Sequence, residues 1–136
     1  MGIGKKFRSK RKILNLTLEE LAEKIGTNIT TLSMFERDSV NISMHTFLDL
    51  CRFFDINIID ALEIQVEDSL LKYIKSQDNL GEILLMCRTT LGYSRYKVAE
   101  ISELSDVTIS LVEKGILVPT LDTFTRLAKV YIDNKI

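Results

Sequence analysis

Apolar positions along the chain recur at helical rather than strand spacing. Ile3, Phe7, Arg11 and Leu14 fall at i, i+4, i+8 and i+11, which is one face of a helix, and Leu80, Leu84, Arg88 and Leu91 repeat it. An arginine therefore stands on an apolar face twice. A guanidinium there is tolerable only when paired. Glu36 and Glu113, each at the end of a later apolar helix, are the recurring acids available to pair with it.

Beyond each of these faces the pattern predicts further helices. Thr17 or Ser94 caps a short second helix, with Glu20 completing a capping box in the first instance. Leu18, Leu21, Ala22 and Ile25 form its buried stripe, and Gly26 ends it with the residue best suited to a positive φ. Asn28 or Thr27 caps a third helix whose inward residues are Leu32, Phe35 and Glu36, matched later by Ile109, Val112 and Glu113. Helix, short glycine-containing turn, helix is the helix-turn-helix pattern. A fourth helix starts after Ser43 or Thr120 and buries Phe47, Leu50, Cys51 and Phe54, matched by Phe124, Leu127, Ala128 and Tyr131. A short fifth helix follows around residues 58–62. The second series stops at Ile136, so its last helix is expected to do without that cover. Residues 67–75 read as an amphipathic connecting helix through Leu70, Leu71 and Ile74, and residues 76–79 as a turn.

These matches are one internal duplication with a shift of 77 residues. Residues 3–59 align with 80–136 without a gap, and 13 of the 57 positions are identical. The expected organisation is all-α: a first domain over residues 1–63, a connection over 64–79 and a second domain over 80–136. Units of roughly 55–60 residues sit near the lower limit for a self-sufficient core, so each is expected to lean on the other.

Composition narrows the function classes. With 46% apolar residues, one proline and no tryptophan, the chain reads as an ordinary helical protein rather than a disordered one. No apolar stretch approaches ~20 residues and no signal-peptide core begins the chain, so a cytoplasmic protein without membrane contact is expected. Cys51 and Cys87 lack a CxxC partner and His45 is the sole histidine, which points away from disulfides, metals and cofactors. Nor is there a His/Cys/carboxylate constellation, a phosphate-cradling glycine loop or a small-molecule site, so an enzyme is the weakest candidate. Net charge is −1, yet Lys5, Lys6, Arg8, Lys10, Arg11 and Lys12 place six cations before residue 13. That stripe is either a phosphate-facing surface or a solvated helix face.

The sequence resembles the lambda repressor/Cro-type (XRE) helix-turn-helix family. The first copy carries the resemblance in Arg11, in the run from Leu16 to Asn28, and in Leu32-Ser33, Phe35-Glu36-Arg37. The second carries it in Arg88, Ser94, Val98-Ala99, Ile109-Ser110, Val112-Glu113-Lys114-Gly115 and Pro119-Thr120-Leu121. The resemblance implies that the third helix enters the major groove of double-stranded DNA and reads base edges with Asn28, Ile29, Thr30, Ser33 and Met34. It implies backbone positioning by Thr17, Thr31, Arg37 and Ser39, with Lys6 or Lys10, and structural ion pairs Arg11–Glu36 and Arg88–Glu113. The sequence departs from the family in several places. Leu18 and Arg95 stand where glutamine is usual, Asp38 and Glu103 where glycine is usual, Ile42 replaces the proline, and Ser102 replaces the apolar Ile25 of the first copy.

The two third helices expose different chemistry. The first presents an uncharged face ending in Arg37 beside a basic first helix, which suits an A·T-leaning DNA site. The second presents Ser105, Asp106, Val107, Ser110, Leu111 and Lys114, followed by the apolar loop Ile116-Leu117-Val118. The expected function is a sequence-specific DNA-binding regulator, a small repressor. Two arrangements stand open: both copies read DNA as a covalent pseudo-dimer, or the second copy forms a homodimer or binds a protein partner. The rival function is an antitoxin- or inhibitor-like protein-interaction module.

Overall fold

Hydroxyl and carboxamide caps fix where the helices begin. The computed structural model describes residues 2–39, 41–62 and 80–133. The first copy folds as α1 (Ile3–Ile13), α2 (Leu18–Ile25), α3 (Ile29–Glu36), α4 (Met44–Phe54) and α5 (Ile58–Leu62). The second folds as α6 (Leu80–Thr90), α7 (Arg95–Ser102), α8 (Asp106–Glu113) and α9 (Leu121–Asp133). The fold is all-α, with no named strand among the described residues. Thr17 Oγ1 accepts the Glu20 N–H at 3.0 Å while Glu20 Oε1 accepts the Thr17 N–H at 2.9 Å, completing the expected capping box. In the second copy Lys97 replaces that glutamate, and Ser94 makes only the single bond from the Lys97 N–H, at 3.0 Å. Ser43 and Thr120 cap α4 and α9 by accepting from the Thr46 and Thr123 N–H groups at 3.2 and 3.1 Å. The connecting helix expected over 67–75 and the turn over 76–79 lie outside the described residues.

Each copy packs its helices around the same ion pair. Arg11 Nε and Nη2 donate to Glu36 at 2.7 and 2.9 Å, and Arg88 Nε and Nη2 donate to Glu113 at 2.7 and 3.0 Å. The third arm is also repeated, since Nη1 reaches the Leu16 carbonyl at 2.7 Å in one copy and the Tyr93 carbonyl at 2.9 Å in the other. These forks tie the first helix to the third and to the turn between the first and second, which satisfies a guanidinium removed from water. Around the pair the packing differs. Phe7, Phe35 and Phe47 form a ring cluster with centroids 5.2 to 5.9 Å apart, whereas the equivalent positions hold Leu84, Val112 and Phe124, all buried.

The apolar face predicted for the first helix ends one residue early. Leu14 is 54% exposed because α1 stops at Ile13 and the chain turns through Asn15, whose φ is +57°. The repeated Leu91 stays half-buried. A feature the periodicity did not reveal sits at the other end of α1. A Cβ on Gly4 would lie 2.2 Å from the Phe35 carbonyl oxygen, and one on Gly81 would lie 2.4 Å from that of Val112. Both first helices therefore cross the end of their third helix at backbone contact.

The copies meet where their fourth helices begin. Met44 N–H donates to the Pro119 carbonyl at 2.9 Å and Leu121 N–H donates to the Ile42 carbonyl at 2.7 Å, flanking an antiparallel bridge between Ser43 and Thr120. α4 and α9 also touch each other.

Candidate nucleic-acid interface

The third helix of the first copy is held by its inner face and offers its outer one. Leu32, Phe35 and Glu36 are buried, while Asn28, Ile29, Thr30 and Met34 are exposed and Thr31 and Ser33 half-buried. Ile29 and Met34 are each 43% exposed, a large apolar area to leave in water on so short a helix. Asn28 has a structural task as well: its Oδ1 accepts the Thr31 N–H at 2.7 Å as the cap of α3, leaving the amide NH₂ as the group free to turn outward. Arg37, just past the helix, is exposed and its Nε donates to the Ser33 carbonyl at 3.3 Å. Thr17 is exposed at the start of α2, and Ser39 is half-buried beyond α3.

The basic stripe divides into two parts. Arg11 is buried in its pair with Glu36, and Lys5, Lys6, Arg8, Lys10 and Lys12 remain at the surface of α1. The second copy has no counterpart, because Arg88 is the only basic residue of α6 and it is paired. Its third helix nonetheless keeps the same design. Ser105 caps α8 by accepting from Thr108 N–H at 3.0 Å, Ile109 and Val112 are buried, and Asp106, Val107 and Lys114 are exposed, with Ser110 and Leu111 half-buried.

Several features of this surface escaped the sequence. Asp106, an acid at the tip of a helix expected to face phosphates, is met by Arg95, the first residue of α7, at 3.5 Å. Arg95, a departure from the family pattern, thus offsets the charge of Asp106, a pairing that no spacing rule announces. Asp38, in the place of a glycine, takes a φ of +70° and its Oδ1 accepts the Gly4 N–H at 2.9 Å. It keeps the left-handed turn and adds a cap to α1. Glu103 likewise holds φ +61° where Gly26 holds +74°. Ser102, in place of Ile25, is buried with its hydroxyl donating to the Val98 carbonyl at 2.7 Å.

Other chemistry is sparse. No group of three or more metal-capable side chains converges among the described residues, and no described helix is long and apolar enough to cross a membrane. Cys51 and Cys87 are buried in their helices and form no disulfide. His45 is exposed in the first turn of α4.

Comparison with known families fits this geometry. Residues 4–66 match a helix-turn-helix domain family, and residues 84–131 match a second helix-turn-helix family. No curated protein and no solved structure matches the chain. Together the two matches take in both copies with their capped second and third helices, and the chain belongs to the XRE-type helix-turn-helix family of DNA-binding regulators, as two domains in tandem.

Proposed function

We propose that the protein is a sequence-specific repressor that acts without catalysis, with α3 of the first copy lying in the major groove. The observation that carries this reading is the outer face of α3. It is exposed, contains no acid, and belongs to a domain whose first helix bears five surface cations. Asn28 suits adenine, Thr30 and Ser33 suit several bases, and Ile29 and Met34 suit thymine methyls. Lys6, Lys10, Thr17, Thr31, Arg37 and Ser39 would set the register on phosphates.

Selection from random duplex DNA at two salt concentrations tests it. The expected result is an enriched A·T-leaning motif and an affinity that falls steeply with salt. Lys10→Ala should lower the log–log salt slope by about 1 with the motif unchanged, and Met34→Ala should relax the motif with the slope unchanged. Micromolar binding with no enriched motif sinks the proposal in favour of a protein-binding module. What favours that second reading is the apolar surface of the second copy, where Val107 is 65% and Ile116 70% exposed.

A further inference from the structure

We infer that a single chain is its own dimer, one copy for each of two unlike half-sites in a single operator; this rests on the DNA-reading function proposed above. The joint between the copies carries the argument. Under the shift of 77 residues, Ile42 corresponds to Pro119, Ser43 to Thr120 and Met44 to Leu121. Ser43 bridges its own counterpart, Thr120, in antiparallel sense. The bond from Met44 N–H to the Pro119 carbonyl becomes, under the same exchange, the bond from Leu121 N–H to the Ile42 carbonyl. Antiparallel pairing of a residue with its own equivalent, with flanking bonds that interchange, is the signature of a two-fold axis through the pair. It is the isologous arrangement of a symmetric homodimer, here made within one chain.

The axis relates more than the joint. α4 and α9 start at equivalent residues and touch each other, and within each copy the same Arg–Glu fork fixes the third helix to the first. The third helices α3 and α8 thereby become two-fold partners, the relation required to enter successive major grooves ~34 Å apart on one face of a duplex. The halves of the site cannot be the same. Of the six outward positions running from Asn28 to Arg37 and from Ser105 to Lys114, only Ser33 and Ser110 agree. The acid on the second face does not bar it from DNA, because Arg95 stands 3.5 Å from Asp106 with its guanidinium partly in solvent.

Two measurements on the full chain test this. Amide exchange probes the axis without DNA. First-turn amides of a helix lack an intrahelical partner, so Met44 and Leu121 are expected to be protected while Leu18 and Arg95, at the same position in α2 and α7, exchange quickly. Fast exchange at Met44 and Leu121 overturns the two-fold joint. Native mass spectrometry and groove footprinting on the selected duplex probe the half-sites. One chain per duplex is expected, with two successive major grooves protected. Ser33→Ala with Met34→Ala should expose one half only, and Ser110→Ala with Lys114→Ala the other. Replacing the natural site by a perfect palindrome of its first half should weaken binding about tenfold or more, the cost of one or two mismatched pairs. Two chains per duplex, a single protected groove, or tighter binding to the palindrome overturns the inference while leaving the DNA-reading function standing. Absence of binding at low salt overturns both.

Discussion

The two copies differ most instructively at their turns. Three turn positions are left-handed in both copies, and at every one of the three a glycine in one copy faces another residue in its counterpart. Asn15 (φ +57°) matches Gly92 (+73°), Gly26 (+74°) matches Glu103 (+61°), and Asp38 (+70°) matches Gly115 (+74°). What both copies retain is the backbone conformation, and the strain of a side chain there, about 1–2 kcal/mol, is tolerated one site at a time. Gly4 and Gly81 are glycine in both, and for another reason. They are right-handed helical residues with a carbonyl oxygen where a Cβ would go. A turn glycine relieves strain and can be replaced, whereas a crossing glycine supplies space and cannot.

The largest way to break this comparison is through the ion pairs. Arg11→Ala and Arg88→Ala each leave a buried carboxylate uncompensated and should cost roughly 3–5 kcal/mol, read as urea denaturation midpoints. The side chains of Glu36 and Glu113 are equally buried, 7% exposed each, so the two losses should match. A marked inequality would mean that the second copy is held together by other contacts. Next come the crossing glycines. Gly4→Ala and Gly81→Ala should each destabilise by roughly 1–3 kcal/mol through overpacking, and a thermal shift near zero for either would show that α1 or α6 can ride away from its third helix.

Much of this fold was legible beforehand because it rests on local rules. Helical spacing, N-cap chemistry and a gapless repeat located every described helix, and the recurrence of Arg11 with Glu36 announced the pair. The crossing glycines were among the 13 identities but carried no periodic signal, since a close approach depends on another helix far along the chain. The joint at Ser43 and Thr120 was illegible for a similar reason: two hydrogen bonds between backbone groups leave no trace in residue type. The reading face was legible in outline. The Arg95–Asp106 pair and the cap by Asp38 were not, because in both a residue that departs from the family pattern acts on a different element.

Alkaline titration separates the copies by chemistry. Burial pushes the Cys51 thiol up to about 12. An unfolded chain ionises this thiol near 9 while the folded one keeps the proton, so its contribution is complete below pH 9 and is lost as pH rises toward 12. The second copy has Ala128 at that position and instead buries Tyr131, whose phenol is raised chiefly by burial, then by Glu113 and Cys87. Its contribution begins to fall only above the ordinary phenol value, near 10. Stability measured by urea should therefore decline from pH 9, by about 1.4 kcal/mol per unit for each group engaged. Cys51→Ala should flatten the stretch between 9 and 10, and an unchanged slope there would remove Cys51 from the account.

The smallest effect is the most discriminating, because one replacement is expected to act differently in the two copies. Glu103→Gly relieves a left-handed side chain, a gain of about 1–2 kcal/mol, reduced by the extra freedom of glycine in the unfolded chain, about 0.4–1 kcal/mol. The contact it loses, with Arg126 at 3.7 Å, is made by a glutamate side chain 82% exposed and contributes little. The second copy should gain stability. Asp38→Gly relieves the same kind of strain, but aspartate is among the residues that tolerate it best, and the change removes the acceptor 2.9 Å from the Gly4 N–H. A lost cap costs about 1 kcal/mol, so the first copy should gain nothing. Paired melting curves decide the matter. If both variants stabilise alike, Asp38 is a tolerated loss of glycine; if only Glu103→Gly does, the first copy has turned its departure from the family into a cap for the helix that carries its cations.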